Sequence, residues 1–257
     1  MNIVLFSNKD KFSPNSDFVL SLQDDRAKHI LKILHKKVGD TFDAGIENEM
    51  AGIATILSID TKEIICNFMP TSSGKPLYPL EMIIGFPRPI QLKRLFRDMA
   101  SLGVSKIHLC GTELGEKSYL DSKIIERGTA SNLLKDGTIQ AKSTHIPELY
   151  TYSSIGDCLD QLANTISNRN ILKIVLDNVN APISLSTFLK KQKTLNGAKF
   201  SKVIASIGSE RGWTNTERTV FEENKFTRCN MGERILRTET AATVSATVIL
   251  ENIFNIL

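Results

Sequence analysis

Two motif blocks lie close together near the C-terminus of the chain, each where an apolar segment gives way to a polar loop. The first block, IGSERGWTNTE, covers Ile207 to Glu217, and the second, MGERILRTETA, covers Met231 to Ala241. The segment Val203 to Ile207 is typical of a buried strand, and Phe226 to Cys229 predicts a second, shorter strand. Because the loops that follow parallel strands meet at one edge of a sheet, we expect both blocks to line one crevice.

The blocks also predict where two helices begin. Thr214 and Glu217 have the spacing of a capping box, and Thr238 is the expected N-cap of a helix that runs nearly to the C-terminus. Gly208 and Gly212 permit backbone conformations and close approaches that a side chain would obstruct. An ordinary tight turn uses glycine in the same way, so the glycines alone do not distinguish a ligand loop from a turn.

The remainder of the chain divides into two regions. From Asn2 to Phe68 the apolar segments are short and β-like, interrupted by one helical stripe from Asp24 to Lys37. Residues 70–76, PTSSGKP, are turn formers and predict a linker. Beyond them strands and helices alternate, which indicates an α/β fold with a mainly parallel sheet covered on both faces. The expected strands there include 80–85, 107–109 and 172–176, and the expected helices 89–102, 121–134 and 154–163. We therefore expect a small β-barrel domain at residues 1–72 and an α/β domain at residues 73–257.

The composition of the chain excludes several classes of protein. A chain of 257 residues with 41% hydrophobic content is long enough to bury a substantial core. Its four cysteines form no C-x-x-C pair and its four histidines lack zinc-ligand spacing, so we expect free thiols and no metal. No apolar run approaches the roughly 18 residues of a membrane span, and the N-terminal apolar stretch is too short for a signal peptide, which predicts a cytoplasmic protein with no membrane partner. The motifs typical of nucleotide-binding P-loops, dinucleotide folds, zinc proteases and α/β hydrolases are absent from the sequence.

The two blocks resemble those of the bacterial 16S ribosomal RNA uridine N3-methyltransferase family, which belongs to the SPOUT class. The similarity covers Ile207 to Trp213 and the whole of the second block, and a weaker similarity at His29 to Leu34 and Lys37 to Asp40 extends it to the N-terminus. The resemblance implies a PUA-like, RNA-binding β-barrel followed by a SPOUT-type α/β domain with a C-terminal trefoil knot. It also implies S-adenosylmethionine as the cofactor, small-subunit ribosomal RNA as the substrate, and a homodimer with the final helix in its interface.

The residues that would hold the cofactor follow from this resemblance. A neutral adenine ring requires an apolar slot with backbone donors and acceptors at its edge, which the second block would form, while the first block would contact the ribose and methionine parts. The predicted cofactor-binding residues are Leu176, Ile207, Gly208, Glu210, Gly212, Met231, Gly232, Ile235 and Leu236.

Arg237 is the first candidate for a catalytic role, and Arg234 is the second. The two arginines flank Ile235 and Leu236, so in an extended loop the apolar pair would turn inward while the arginines reach the substrate. Methylation of uridine at N3 requires loss of the imide proton, and a cation beside the base would favour the resulting anion. A solvated arginine with a structural partner would show the same pattern, and that alternative stays open.

Basic residues on two predicted helices are the expected RNA contacts. Their spacing places Arg94 and Arg97 on one helix face, although a solvated helix surface has the same pattern. A net charge of +4 permits a basic face but does not by itself indicate RNA binding. The predicted RNA-binding residues are Arg26, Lys32, Lys36, Lys37, Arg94 and Arg97.

Several positions depart from the family pattern, most of them at the expected substrate end. They are His35, Asp98, Ser101, Leu114, Lys142, Ser143 and Arg211, the last of which replaces a glycine of the first block. The leading hypothesis is an enzyme that methylates N3 of a uridine in 16S ribosomal RNA. The alternatives are a methyltransferase for a different RNA nucleotide and an RNA-binding ribosome-assembly factor of the same fold with little or no turnover. The presence of Arg234, Arg237 and Glu239 favours the enzyme.

Overall fold

The computed structural model of the protein describes residues 2–12, 17–119, 128–166, 170–196 and 200–256. The chain forms two compact units. One consists of Met1–Leu77 with Lys135–Ile146, and the other of Tyr78–Leu134 with Pro147–Leu257.

The first unit is built on a five-stranded sheet. Its strands are β1 (Val4–Phe6), β2 (Asp17–Ser21), β3 (Thr41–Ile46), β4 (Ala51–Ile59) and β5 (Glu63–Ser72). In the order β1-β3-β4-β5-β2, the first pair is parallel and the other pairs are antiparallel. The two end strands nevertheless pack together, because Phe6 stacks on Phe18 with ring centroids 4.5 Å apart. The sheet is therefore curled, and the hydrogen bonds of the described residues do not close it into a complete barrel.

The helix of the first unit is shorter than the sequence predicts. Helix α1 (Asp25–Lys28) continues as a π-helical turn, His29–Ile33, and ends there rather than at Lys37. His35 has a φ of +52°, which interrupts a right-handed helix before it can reach Gly39, the expected stop residue.

The predicted linker is partly strand. Strand β5 runs to Ser72, so it includes the first residues of the predicted linker. Pro70 lies opposite Gly52 of β4, next to a shift in register. A proline is tolerated at such an irregularity. A Cβ at Gly52 would lie 2.1 Å from the carbonyl oxygen of Met69, so the close pairing requires glycine. The turn-forming composition of residues 70–76 concealed this extension of the strand.

Residues 135–146 fold with the first unit, whereas the sequence analysis placed them in the second domain. Thr144 is fully buried, and its hydroxyl donates to the carbonyl oxygen of Glu49 at 2.7 Å. A Cβ at Gly45 would lie 2.4 Å from Thr144 Cγ2, and one at Gly74 would lie 2.3 Å from Thr144 Oγ1. These two glycines leave the space that Thr144 fills, and contacts between such distant segments have no signature in the local sequence pattern.

The second unit contains a seven-stranded sheet in which every described pair is parallel. Its strands are β6 (Tyr78–Gly85), β7 (Val104–Cys110), β8 (Glu148–Tyr152), β9 (Ile171–Leu176), β10 (Ile183–Ser184), β11 (Lys202–Ile207) and β12 (Thr227–Asn230), in the order β10-β12-β9-β11-β6-β7-β8. The helices that follow the strands are α2 (Pro89–Leu102), α3 (Thr129–Gln140), α4 (Ile155–Gln161), α5 (Ala163–Ile166), α6 (Leu185–Asn196), α7 (Asn215–Glu223) and α8 (Thr238–Ile249). The last of them continues as a π-helical turn, Leu250–Phe254, and α3 extends from this unit into the segment that folds with the first unit. The prediction of an α/β fold with a mainly parallel sheet is confirmed.

Both faces of this sheet are buried. Ile83 of β6 and Ile204 of β11 belong to an apolar cluster with Ile155 of α4 and Phe221 of α7. Their strand neighbours point to the opposite face because side chains alternate along a strand, and those neighbours are equally inaccessible; they include Met82, Ile84, Val203 and Ala205. The sheet therefore has cover on each side, as a parallel sheet requires.

The accuracy of the predicted helices varies. Helix α2 has the predicted bounds, since Pro89 starts it and Gly103 ends it with a φ of +75°. Of the helix expected at 121–134, residues 121–127 lie outside the described residues, and α3 begins at Thr129. Strands β8 and β10 and helix α6 were not predicted.

Glu81 is a charged residue in the core of the second unit. Only 2% of it is exposed, and its carboxylate accepts hydrogen bonds from His108 Nε2 at 3.3 Å and from Lys202 Nζ at 2.5 Å. Since a carboxylate only accepts, His108 Nε2 carries a proton, and Nδ1 lies 3.2 Å from the Tyr152 hydroxyl. Burial alone would raise the pKa of Glu81, but the hydrogen bond from His108 and the charge of Lys202 outweigh it and lower that pKa.

We expect Glu81→Gln to lower the free energy of unfolding at neutral pH by about 1–3 kcal/mol, because it leaves Lys202 without its charged partner. The folded-state pKa of Glu81 lies below its unfolded value, so the stability from this carboxylate is present above the unfolded pKa and is lost as the pH falls through the folded one. Urea unfolding should thus show that the difference in free energy of unfolding between the variant and the wild-type protein shrinks below about pH 4. Glu222→Gln, which changes a side chain that is 56% exposed, is the matched control. Equal effects of the two substitutions would contradict the assignment.

Candidate functional site

The two motif blocks meet at the carboxyl ends of three neighbouring strands, β12, β9 and β11. A pocket of about 220 Å³ lies there, and we call it the motif pocket. Of the predicted cofactor residues, Leu176, Ile207, Gly208, Glu210, Gly212, Met231, Ile235 and Leu236 line it, and Gly232 does not. The structure therefore brings together the two blocks as the sequence predicts, while their role in binding stays a prediction.

The first block is a tight turn. The N–H of Gly212 donates to the carbonyl oxygen of Ser209 at 2.9 Å, and Gly212 has a φ of +73°. A Cβ at Gly208 would lie 3.0 Å from Gly212 Cα. Gly208 is thus closely packed against Gly212 within the turn itself, and its role beside a ligand stays a prediction.

Hydrogen bonds fix this turn to its surroundings. Trp213 Nε1 donates to the carbonyl oxygen of Leu176 at 3.0 Å, which joins the block to the end of β9. Thr214 and Glu217 form the predicted capping box of α7. Buried Glu217 also accepts from the N–H of Glu113 at 3.0 Å. One carboxylate thus caps the helix and holds the loop that follows β7.

The second block is held at its two ends. At the first end, the N–H of Gly232 donates to Asn230 Oδ1 at 3.2 Å. At the other end, the buried hydroxyl of Thr238 donates to the carbonyl oxygen of Gly208 at 3.2 Å and so connects the two blocks. Thr238 was predicted to be the N-cap of the last helix. It is instead the first helical residue, because Arg237 occupies the N-cap position with an extended ψ of 151° and no side-chain cap.

The middle of the second block is exposed. Ile235 is 82% exposed and Leu236 is half-buried, whereas the sequence analysis expected both to turn inward. Among the described residues, no hydrogen bond involves Glu233, Arg234 or Ile235, so only the ends of this loop are fixed. Ile235 borders the pocket without being covered by any described part of the chain.

The two candidate arginines differ in position. Arg234 is exposed and lines the motif pocket, whereas Arg237 is exposed at the start of α8 and lies outside the lining. Neither side chain has an ion-pair partner among the described residues, which leaves both guanidinium groups available to a ligand.

Asp177 and Arg218 also line the pocket and were not predicted. Arg218 Nε donates to Asp177 Oδ2 at 2.7 Å, and the two side chains are 13% and 2% exposed. The hydrogen bond to Asp177 raises the pKa of Arg218 above its ordinary value. Asp177 directly follows an apolar strand, a signal that could have identified it.

The predicted RNA-binding residues fall into two groups. Lys32, Lys37, Arg94 and Arg97 are exposed and Lys36 is half-buried, all consistent with contact to a ligand. Arg26 is different, because its guanidinium binds Asp10 and Asp24 at 2.7 Å and the carbonyl oxygen of Leu5 at 2.8 Å. Hydrogen bonds from Arg26 lower the pKa of Asp24 and, against the effect of burial, that of Asp10. The charge of Arg26 is therefore used inside the first unit, and its role as an RNA contact stays a prediction.

A larger cavity of about 590 Å³ also lies in the second unit, and we call it the second cavity. Its walls come from the loop after β7, from the start of α4 and from α7, and it contains none of the predicted cofactor residues. The described residues contain no cluster of three or more histidine, cysteine, aspartate or glutamate side chains placed to hold a metal ion. Among the described helices, none has the length and apolar character needed to cross a membrane.

One known family matches most of the chain. A family model described as RNA methyltransferase domain matches residues 73–250, well over half of the chain. The chain belongs to this family of RNA methyltransferases. The match includes both motif blocks, and so the motif pocket lies within the family's domain.

Relatives support the same assignment. The chain is 38% identical over 253 residues to ribosomal RNA small subunit methyltransferase E of Treponema pallidum, with 98% of this chain and 91% of the relative covered. It is 31% identical to ribosomal RNA small subunit methyltransferase E 1 of Borreliella burgdorferi, with 90% and 91% covered. Its fold is similar to that of a ribosomal RNA small subunit methyltransferase E from Neisseria gonorrhoeae solved bound to S-adenosyl methionine, with a TM-score of 0.74, 17% identity, and 96% and 97% covered.

Proposed function

We propose that the protein is an S-adenosylmethionine-dependent methyltransferase that modifies N3 of a uridine in 16S ribosomal RNA. The observation that carries this proposal is the motif pocket, in which both motif blocks of an RNA methyltransferase domain line one cavity at the carboxyl edge of a parallel sheet. The names of the relatives in Treponema pallidum and Borreliella burgdorferi support small-subunit ribosomal RNA as the substrate. The resemblance of the motif blocks supports uridine N3 and a trefoil knot in the C-terminal part of the chain.

The residues of the motif pocket fit the cofactor. Leu176, Ile207 and Leu236 provide apolar surface for an adenine ring, and the backbone of the Ser209–Gly212 turn provides polar groups beside it. Exposed Ile235 would gain cover from a ligand in the pocket. When bound, S-adenosylmethionine would supply an electrophilic methyl group.

The chain's own contribution to the reaction would be electrostatic. A uridine N3 retains its proton at neutral pH, and a fixed cation beside the base favours the anion that forms when that proton leaves. Arg234 is an exposed cation that lines the pocket, and Arg237 is an exposed cation at the start of α8. Since arginine stays protonated, neither can act as the general base.

RNA phosphates would be bound by exposed or half-buried cations of two groups, which are Lys32, Lys36 and Lys37 of the first unit and Arg94 and Arg97 of α2. Such contacts are independent of sequence and weaken as the salt concentration rises. The first unit would thus contribute RNA affinity and the second unit the chemistry.

The proposed activity can be tested on unmodified 16S RNA transcripts and on unmodified small subunits incubated with the protein and S-adenosylmethionine. Mass spectrometry of the digested nucleosides should detect 3-methyluridine. A different methylated nucleoside would contradict the choice of uridine N3, and cofactor binding without any methylated product would favour the ribosome-assembly factor.

In the same assay, Arg237→Ala should lower kcat by about 100-fold, the usual cost of losing one donor that stabilises charge in the transition state, with near-normal cofactor affinity. Arg237→Lys should fall between wild type and alanine, because lysine retains the charge without the planar fork. Arg234→Ala is the comparison, and since Arg234 lines the pocket it should also weaken cofactor binding. Full activity of Arg237→Ala together with loss of activity in Arg234→Ala would transfer the role to Arg234.

We also propose that the protein is a homodimer through the outward face of α8. The small residues Ala242, Ser245 and Ala246 of α8 are fully buried within one chain, so a substitution at any of them would disturb the core and not an interface. Val244, which is 39% exposed, faces outward instead. Light scattering at micromolar concentration should find a dimer for wild type and a monomer for Val244→Arg; a monomeric wild-type protein would reject the interface.

A further inference from the structure

Two charged side chains, Glu210 and Arg211, stand at the tip of the Ser209–Gly212 turn. Arg88, in the loop after β6, pairs with Glu210 at 3.5 Å through its guanidinium and donates its backbone N–H to the same carboxylate at 3.3 Å. Arg211 pairs with Glu116, in the loop after β7, at 3.3 Å. The turn therefore carries one ion pair to each of two neighbouring loops.

The pair between Arg211 and Glu116 is exposed and easily exchanged. The side chains of Arg211 and Glu116 are 68% and 54% exposed, and exposed ion pairs contribute little to stability. Arg218 provides the contrast, since it is 13% exposed and bound to a buried carboxylate. Arg211 is thus held in position by a weak partner, while Arg218 is committed to the fold.

The position of Glu116 indicates where the guanidinium of Arg211 points. Arg211 belongs to the lining of the motif pocket, whereas Glu116 belongs to the lining of the second cavity. The ion pair therefore holds the guanidinium of Arg211 beside a residue that lines the second cavity and not the motif pocket. An anionic group outside the motif pocket is therefore a more suitable partner for this guanidinium than a carboxylate of a small molecule bound inside the pocket.

We infer that Arg211 binds a phosphate of the RNA strand beside the target nucleotide, and that Glu116 is its counter-ion in the free protein. This inference rests on the proposed function. A guanidinium forms a two-pronged contact with phosphate oxygens, and every nucleotide next to the target supplies such a group. The contact would position the strand and would read no base. The turn itself does not require arginine, because the similar family usually has glycine there.

Substitutions of the two partners should have opposite effects. With labelled single-stranded 16S RNA fragments, Arg211→Ala should weaken binding about tenfold and reduce the slope of log affinity against log salt by about 0.7, the value for one lost phosphate contact. Glu116→Gln should tighten binding about two- to fivefold, because it removes a competitor for the guanidinium. The matched charge controls are Glu223→Gln, at an exposed position of α7, and Lys191→Ala, at an exposed position of α6. Both should change RNA affinity less than twofold.

Kinetics and cofactor titration separate the possible outcomes. Arg211→Ala should raise KM for RNA with kcat and the affinity for S-adenosylmethionine unchanged. The inference is overturned if Glu116→Gln weakens RNA binding as Arg211→Ala does, since the pair would then be a structural brace. The inference is also overturned if Arg211→Ala loses affinity for S-adenosylmethionine. The same holds if its RNA affinity changes no more than that of Lys191→Ala. Absence of methylation by the wild-type protein would instead count against the proposed function, because the RNA-binding comparison can still be made.

Discussion

The parallel pairing of β12, β9 and β11 is the constraint on which the site depends. Because the three strands run in the same direction, their carboxyl ends share one edge, and the loops after them must occupy the same space. Blocks that are separated in sequence thereby become opposite walls of one pocket. The hydrogen bond from Thr238 to the carbonyl oxygen of Gly208 then fixes the distance between those walls. The position of the pocket thus follows from strand direction, and the buried hydroxyl of Thr238 connects the two blocks that line it.

The arginines of the protein serve two different purposes. Half-buried Arg218 binds the buried Asp177 at the end of β9, and in the first unit half-buried Arg26 binds Asp10 and Asp24. Arg88 and Arg211 have exposed, weak partners, and Arg234 and Arg237 have none among the described residues. The exposure of the guanidinium separates the arginines that hold the fold from those that remain available to an anionic ligand.

Local sequence signals predicted the parts of the structure that depend on neighbouring residues. The bounds of α2 follow from Pro89 and Gly103, and the capping box at Thr214 and Glu217 marks the start of α7. The walls of the motif pocket were also predictable, since each lies directly after an apolar strand. Arg211 could be recognised as a departure from the similar family, but only the position of Glu116 shows the direction of its guanidinium.

What the sequence could not predict depends on contacts between distant segments. Thr144 fills space beside Gly45 and Gly74, and no local pattern places residues 135–146 with the first unit. Arg26 has the spacing of an exposed cation, yet its guanidinium forms an ion pair with Asp10 and donates a hydrogen bond to the carbonyl oxygen of Leu5. Ile235 and Leu236 lie between two arginines as an inward apolar pair would, but the loop is fixed only at its ends and leaves Ile235 exposed.

Hydrogen–deuterium exchange with and without S-adenosylmethionine tests most directly the claim that the two motif blocks form the cofactor site. Amides exchange slowly where a ligand excludes water or restrains local opening. Added cofactor should protect peptides covering residues 207–213 and 231–238, with little change in peptides covering 111–117 and 153–156, which border the second cavity. Protection confined to the second cavity, with unchanged exchange in both motif blocks, would contradict it.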